Sequence, residues 1–554
     1  MNRSEPMETA ANAIGWWRHA VVYQVYIRSF ADGDGDGTGD LAGLRSRLGH
    51  LVDLGVDAVW INPWYPSPLA DGGYDVADYR DIHPDFGTLA EADAFIADAH
   101  DRGIRVLIDL VPNHTSIEHE WFQAALAAGP GSPERERYLF RPGRGPDGGE
   151  PPTNWRAVFG GSAWARVDDG EWYLHIFDTS QPDLNWQHSE VRNEFDAILR
   201  FWLDRGVDGF RVDVAHSMIK DLSLPDVDPE FLTERGQRLP DGSHPHWDRY
   251  EVHDLNRRWR AILDEYDDRM MVAEANVHPD RLPMYLRADE YHQSFNFDLL
   301  KADWSADDFR TIIVDAASGA AAIGAASTWV LSNHDIVRHA TRYGLPPGTD
   351  YKRWLLDGPH DELDAEAGAR RARAAVLITL ALPGSTYIYQ GDELGLPEVW
   401  DLPVEVLEDP TWERSKHTVK GRDGCRVPIP WTTDGPSFGF GSGSAWLPQP
   451  PVFGPLSAEA QTDDPDSTLN LYRDAIGMRS DLFGSNESLE MLDLGADILA
   501  FRRGSGATVV VNMGSTPLAA ADLPGGKVAL SSDRRSGRDE DLGPDTALWL
   551  LPPS

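Results

Sequence analysis

Residues 206–216 read GVDGFRVDVAH, and the reading of this stretch decides the fold. Positions 207–212 are short, apolar and partly β-branched, as a buried strand requires, and the run stops at a carboxylate, Asp213. Arg211 and Asp213 stand two apart, so on a strand their side chains share a face. A guanidinium in that position lowers the carboxylate's pKa and fixes its rotamer. The pair suits a nucleophile kept ionised beside an acid kept protonated. Alone it is equally a strand-end salt bridge, so the rest of the chain has to decide.

Working outward, similar runs recur at 20–27 (AVVYQVYI), 58–61, 104–110, 269–273, 294–297, 328–331 and 386–389. Helical spacing fills the intervals, with Leu44, Leu48 and Leu51 inside 41–54, and further helices expected over 89–102, 190–205 and 255–266. Eight short strands separated by helices predict an α/β fold, a (β/α)₈ TIM barrel. An open doubly wound sheet is the alternative, but no Gly-rich phosphate turn follows any strand. Two connections are longer than a barrel needs: 114–188 after strand three, rich in Gly, Pro and Trp, and 391–461 after strand eight. Loops of that length are tolerated where they build a site. The barrel is therefore expected over 14–113 and 189–480, with 114–188 as an inserted domain and 391–461 as a subdomain. Strand-like runs at 498–501, 508–512 and 547–551 predict a small C-terminal β domain over 484–554.

Composition narrows the partners. The 554 residues are 41% hydrophobic with 20 Trp, ample for a large core, and carry a formal charge of −40. Such a surface disfavours nucleic acid and anionic membranes and favours a neutral substrate over a phosphorylated one. Cys425 is the one cysteine, so an intrachain disulfide and a Cys-based metal site are both excluded. The N-terminal stretch has no apolar h-region and no run of about 18 apolar residues occurs, from which a cytoplasmic protein is expected.

Chemistry-bearing side chains collect at strand ends. Asp109, Asn113 and His114 follow strand three; Arg211 and Asp213 strand four; Glu274 strand five; His334 and Asp335 strand seven. In a barrel these positions converge on one rim. DLVPNH, GFRVDVAH, AEANV and LSNHD, in this order, resemble the four signature regions of the α-amylase superfamily of glycoside hydrolases. QPDLNW (181–186) and GYDVADY (73–79) resemble its oligo-1,6-glucosidase and α-glucosidase branch. The resemblance runs from about Trp16 to the C-terminus and implies an inserted domain B and a C-terminal antiparallel β-sandwich.

By the same resemblance Asp213 is the nucleophile, Glu274 the general acid/base and Asp335 the residue that grips and distorts the sugar. Retaining hydrolysis needs two carboxyls, one ionised and one protonated, which agrees. His114 and His334 are implied donors to the glucosyl unit, with Phe177, Gln181 and Arg211 as further substrate contacts. Asp75 and Tyr79 come from GYDVADY, and Asp75 is expected to close the far end of the pocket with Arg422 or Arg426 from GRDGCRVPIPW. The branch typically reads RDxxRTPMQW there, so both arginines fit. A pocket closed in this way releases one glucose from a non-reducing end. Val214, directly after the nucleophile, accompanies α-1,6 activity in the branch, and Asn276 and Val277 are expected to line the aglycone side.

The stretch DGDGDGTGD (32–40) offers carboxylates at alternate positions among glycines, which is hard-cation chemistry. It is not an EF-hand, because Gly43 stands where the twelfth-position Glu would be. The resemblance implies one structural Ca²⁺ or Mg²⁺ held by Asp32, Asp34, Asp36, Asp40 and the Thr38 carbonyl, remote from the sugar. Two other functions share the motifs: a transglucosidase or isomerase of the trehalose synthase or sucrose isomerase type, and an inactive binding partner of the same fold. The inactive relatives lack the catalytic carboxylates and carry a transmembrane anchor; this sequence has the carboxylates, and no run of about 18 apolar residues that such an anchor needs.

Overall fold

The apolar runs pair side by side in chain order. In the computed structural model, which describes residues 15–537 and 539–552, they form β1 (Val21–Val25), β2 (Ala58–Ile61), β3 (Arg105–Leu110), β4 (Gly209–Val212), β5 (Met270–Ala273), β6 (Gln293–Ser294), β7 (Thr328–Val330) and β8 (Ser385–Tyr389). The pairing is parallel throughout, in the order β7-β8-β1-β2-β3-β4-β5-β6. A Phe295–Thr328 bridge closes the ring, with the Asn296 N–H donating to the Thr328 carbonyl at 3.2 Å. β1, β2, β4, β5 and β8 are buried at every residue. Helices cover the outer face and side chains fill the inside, which is why these strands are near-continuous apolar runs. Gly209 is needed for the closeness of β4 to β5: a Cβ there would lie 2.1 Å from the Met270 carbonyl oxygen.

Three elements depart from the sequence expectation for local reasons. The helix expected over 41–54 is two helices, Leu41–Ser46 and Leu48–Leu54. Arg47 breaks it, its guanidinium 4.6 Å over the Trp431 ring and donating to the Gly439 carbonyl at 3.2 Å. The strand expected over 294–297 is cut to two residues. Asn296 instead caps the helix Phe297–Lys301, accepting the Leu299 N–H at 2.8 Å. The third departure is at the C-terminus, where the β domain is one five-stranded antiparallel sheet: β9 (Leu489–Leu492), β10 (Ile498–Arg503), β11 (Thr508–Asn512), β12 (Val528–Ser531) and β13 (Thr546–Leu550), ordered β9-β10-β11-β13-β12. It docks on the helix Ala365–Ala381 through Trp549, whose indole N–H donates to the Leu377 carbonyl at 2.9 Å. The leader reading falls on residues 1–14, outside the described residues, as do 553–554. No helix among the described residues is long and apolar enough to cross a membrane.

The two long connections are structured. The segment after β3 holds a small antiparallel sheet of Phe140–Pro142, Glu171–Leu174 and Trp164–Arg166. Bridges His114–Asp183 and Tyr138–Leu184 close its base, where the Leu184 N–H donates to the Asn113 carbonyl at 3.0 Å. The segment after β8 folds back over the loop after β1: Ile429 N–H donates to the Ser29 carbonyl at 3.0 Å and the Trp431 indole to the Phe30 carbonyl at 2.8 Å. Both segments thus stand over the rim where the strands end. Beneath it Trp202, fully buried on the helix Ser189–Asp204, packs on Trp64 at 5.3 Å. Its truncation to Ala would cost about 3–5 kcal/mol.

Candidate active site

Arg211 is the hub of the rim. β3 and β4 are in register so that Asp109 stands beside Arg211, and Arg211 is 2% exposed. Its Nη1 donates to Asp109 Oδ1 at 2.9 Å and to Asp213 Oδ1 at 2.5 Å; Nη2 lies 2.8 Å from Glu274 Oε2. Its guanidinium also lies over Trp60 and Tyr74. Asp213 follows the last residue of β4, with its N–H on the Leu110 carbonyl at 2.8 Å. Three carboxylates therefore share one cation. Burial pushes the Asp213 carboxyl well up; Arg211 pulls it down, and Glu274 and Asp109 push it up again. Burial likewise raises Asp109 to about 7 against the pull of Arg211. Burial and the neighbouring carboxylates thus oppose the pull of Arg211 at Asp213.

Asp335 faces this cluster from β7 in the opposite electrostatic condition. Burial would raise it, but His334, Arg422, Arg426 and Arg211 together hold it well below the usual carboxylate range. Its Oδ1 accepts from Arg422 Nη1 at 2.9 Å and from Arg426 Nη2 at 3.1 Å. His334 stacks on Tyr74, ring centroids 5.2 Å apart, and takes a hydrogen bond on Nδ1 from the Gln24 amide at 2.8 Å. Its proton then belongs on Nε2, 3.2 Å from Asp335 Oδ2. Burial keeps His334 neutral. His114 is also neutral, lowered by burial to about 4, with Nε2–H on the Tyr74 carbonyl at 3.1 Å and Phe177 against its ring.

The far side of the site corrects two assignments. Asp75 does not meet either arginine. Its carboxylate is fully buried and occupied by the Ser67 hydroxyl at 2.9 Å and the N–H groups of Ala70 and Asp71, each at 3.0 Å. It braces the turn that presents Asp71, and Asp71 makes the pair with Arg422, Oδ1 to Nη2 at 2.6 Å. Gln181 fixes the other oxygen of Asp71 at 2.9 Å. Tyr79 is likewise a brace, its hydroxyl donating to the carbonyls of Val111 and His114 at 2.8 Å. Of the two arginines, Arg422 spans the gap, bonded to Asp71, Asp335 and Asp409. Arg426 supports it, with Nε on the His334 carbonyl at 2.9 Å.

Sequence reasoning missed Asp71, Tyr74, Asp409 and Phe159, whose ring lies 5.2 Å from the Arg422 guanidinium. Asp71 and Tyr74 sit in the same ADGGYD motif, so a choice between two aspartates four residues apart was available and went to the wrong one. Asp409 and Phe159 carry no local signal. Asn276 and Val277 border a cavity of about 570 Å³ with Arg238, Asn296, Phe297 and Asp298, whose lining includes none of Asp213, Glu274 and Asp335. In the loop after β1, carboxylate oxygens of Asp32, Asp34 and Asp40 lie within 4.8 Å of one another. Asp36 is outside that group and accepts the Thr38 N–H at 2.7 Å. Three hard oxygen donors fit Ca²⁺ or Mg²⁺.

The family described as "Alpha amylase, catalytic domain" matches residues 24–483. A probable α-glucosidase of Rhizobium meliloti is 37% identical over 509 residues, covering 89% of this chain and 87% of its own. The oligo-1,6-glucosidase of Parageobacillus thermoglucosidasius is 35% identical, covering 84% and 83%. The crystal structure of an α-glucosyl transfer enzyme, XgtA, superposes with a TM-score of 0.82 at 34% identity, covering 97% of this chain and 99% of that one.

Proposed function

Because this chain belongs to the α-amylase family of glycoside hydrolases, we propose that it is a retaining, exo-acting α-glucosidase of short neutral α-glucosides. Asp213 attacks the anomeric carbon and forms a glucosyl ester while Glu274 protonates the departing glycosidic oxygen. Glu274 then takes a proton from water, which attacks the same carbon, frees Asp213 and restores the original configuration. Asp335, held ionised by Arg422 and Arg426, grips the sugar hydroxyls and stabilises the cationic transition state.

The observation that carries the exo reading is the Asp71–Arg422–Asp335 chain of ion pairs. In this reading it closes the end of the site so that one glucosyl unit is accepted, with His114, His334, Phe177 and Gln181 as its contacts. A hard divalent cation at Asp32, Asp34 and Asp40 belongs to the reading as a structural ion, supported by the all-oxygen donor set. A single cysteine in 554 residues fits a reducing cytoplasm.

Likeness to an α-glucosyl transfer enzyme favours a second reading, in which a sugar hydroxyl replaces water as acceptor. Product analysis on maltose, isomaltose, sucrose, trehalulose and maltodextrins tests both. Free glucose as the first product, one unit per cleavage, supports the α-glucosidase. New disaccharides without free glucose favour transfer. Maltose and longer fragments ahead of glucose would mean an open cleft.

A further inference from the structure

Val214, directly after Asp213, has φ +43°, in the left-handed region that a β-branched residue enters only at a cost. Such a conformation persists when its surroundings over-determine it. The side chain is buried in an apolar cluster of Trp155, Trp164 and Ile176 from the inserted segment with Val227 and Trp247 from the loop after β4. The backbone that follows is tied to one residue across the rim. Val214 N–H donates to Glu274 Oε2 at 3.0 Å and Ala215 N–H to the Glu274 carbonyl at 3.0 Å. Ser217 N–H closes the turn on the Val214 carbonyl at 2.9 Å.

We infer that left-handed Val214 is a positioning residue for the acid/base carboxyl, its amide and Arg211 together claiming Glu274 Oε2 and leaving the transferable proton on Oε1. The inference rests on Glu274 being the general acid. An oxygen that accepts from an amide N–H and a guanidinium presents its lone pairs to those donors, so the carboxyl proton goes to the other oxygen. Arg211, Asp213, Asp109 and His216 are the titratable and charged groups that face Glu274. Among these contacts the Val214 amide is the one neutral donor to Oε2. With Asp213 holding the preceding peptide plane, an extended or right-handed residue 214 would carry the chain beyond it, and with it the Ala215 N–H, away from the Glu274 carbonyl. The aromatic cluster of the inserted segment holds the turn, and so couples that segment to proton delivery.

The test replaces Val214 with its α-hydroxy acid analogue, which keeps the side chain and exchanges the N–H for an ester oxygen. Rates are read on maltose or isomaltose, whose leaving groups need protonation, and on an aryl α-glucoside with an activated nitrophenol, which needs none. The ratio of kcat/KM between the two should shift by about tenfold against the disaccharide. The basic limb for the disaccharide should move up, since a donor to the ionised carboxylate is gone. Val214→Gly, which keeps the N–H and suits a positive φ, should leave that limb in place. Equal losses on both substrates, or an unchanged ratio, would overturn the inference; so would a Val214→Gly limb shifted like the ester's. Glu274→Ala separates the two levels. If it spares disaccharide turnover, the acid assignment itself fails, and the inference with it. If it loses disaccharide turnover selectively while the ester does not, the inference alone fails.

Discussion

At the scale of single residues, the site works by giving similar carboxylates different surroundings. Asp213, Glu274 and Asp109 crowd one guanidinium, while Asp335 meets two arginines and a histidine. Asp213→Asn should lower turnover at least about a thousandfold in folded protein, because an amide cannot form the glucosyl ester. Activity within tenfold of wild type would remove Asp213 as nucleophile. Arg422→Ala should lower kcat/KM on maltose by about a hundredfold, since Asp71 and Asp335 both lose the cation that aligns them. The same change has a pH signature. Asp335 is depressed and works ionised. Without Arg422 burial is less offset, so its carboxyl, followed by NMR, should titrate at higher pH. A titration unmoved in that variant would mean that Arg422 does not hold Asp335 ionised.

The elements show how much of this was legible beforehand. β3, β4, β5 and β7 were found because strands buried on both faces are written as apolar runs ending in polar residues. The pocket end was misassigned because it is built by loops. Asp71 and Asp75 are equally acidic on paper, and only the turn geometry gives one to Ser67 and its neighbouring amides and the other to Arg422. The loop after β1 makes a separate prediction. Asp40 also caps the helix Leu41–Ser46, accepting the Gly43 N–H at 2.6 Å, so a cation there would tie the loop to that helix. Chelation should lower Tm more than it lowers the turnover of folded enzyme. Asp34→Ala should abolish the chelator-sensitive part of Tm without changing the Tm of chelated protein. Metal analysis finding no ion in protein with an unaltered Tm would dismiss the site.

On the scale of the whole molecule, two sets of buried titrating groups oppose each other. Burial raises Asp75 and Asp423 to about 6, and Asp109, Asp392 and Glu398 to about 7. These groups take up protons on folding, so the stability they contribute falls as pH climbs from about 4 to 7. Burial also lowers His19, His114, His119 and His244 to about 4, and His292 and His339 to about 3. These stay neutral in the fold while protonated in the unfolded chain below about 6.5, so their contribution rises with pH over the same range. The Tm should be nearly level between about pH 5 and 6.5, then fall towards about pH 7.5 as the highest carboxyls alone still titrate. A Tm that climbs steadily from pH 5 to 8 would show that the carboxyls are not raised.

The sequence by itself determined the barrel and the identity of its rim. Strand periodicity, strand-end carboxylates and four short motifs are local properties, each legible from consecutive residues. Tertiary structure decided what depends on residues far apart in the chain. Arg422 meets Asp71 across 351 positions and Asp335 across 87, a choice no local pattern contains. It also decided charge: Asp213 is surrounded on paper by an arginine alone, but folding delivers Glu274 and Asp109 to the same guanidinium and removes the water that would have screened them. Desolvation and convergence are properties of the folded chain, so the site's residue types could be read beforehand but their protonation and pairing could not.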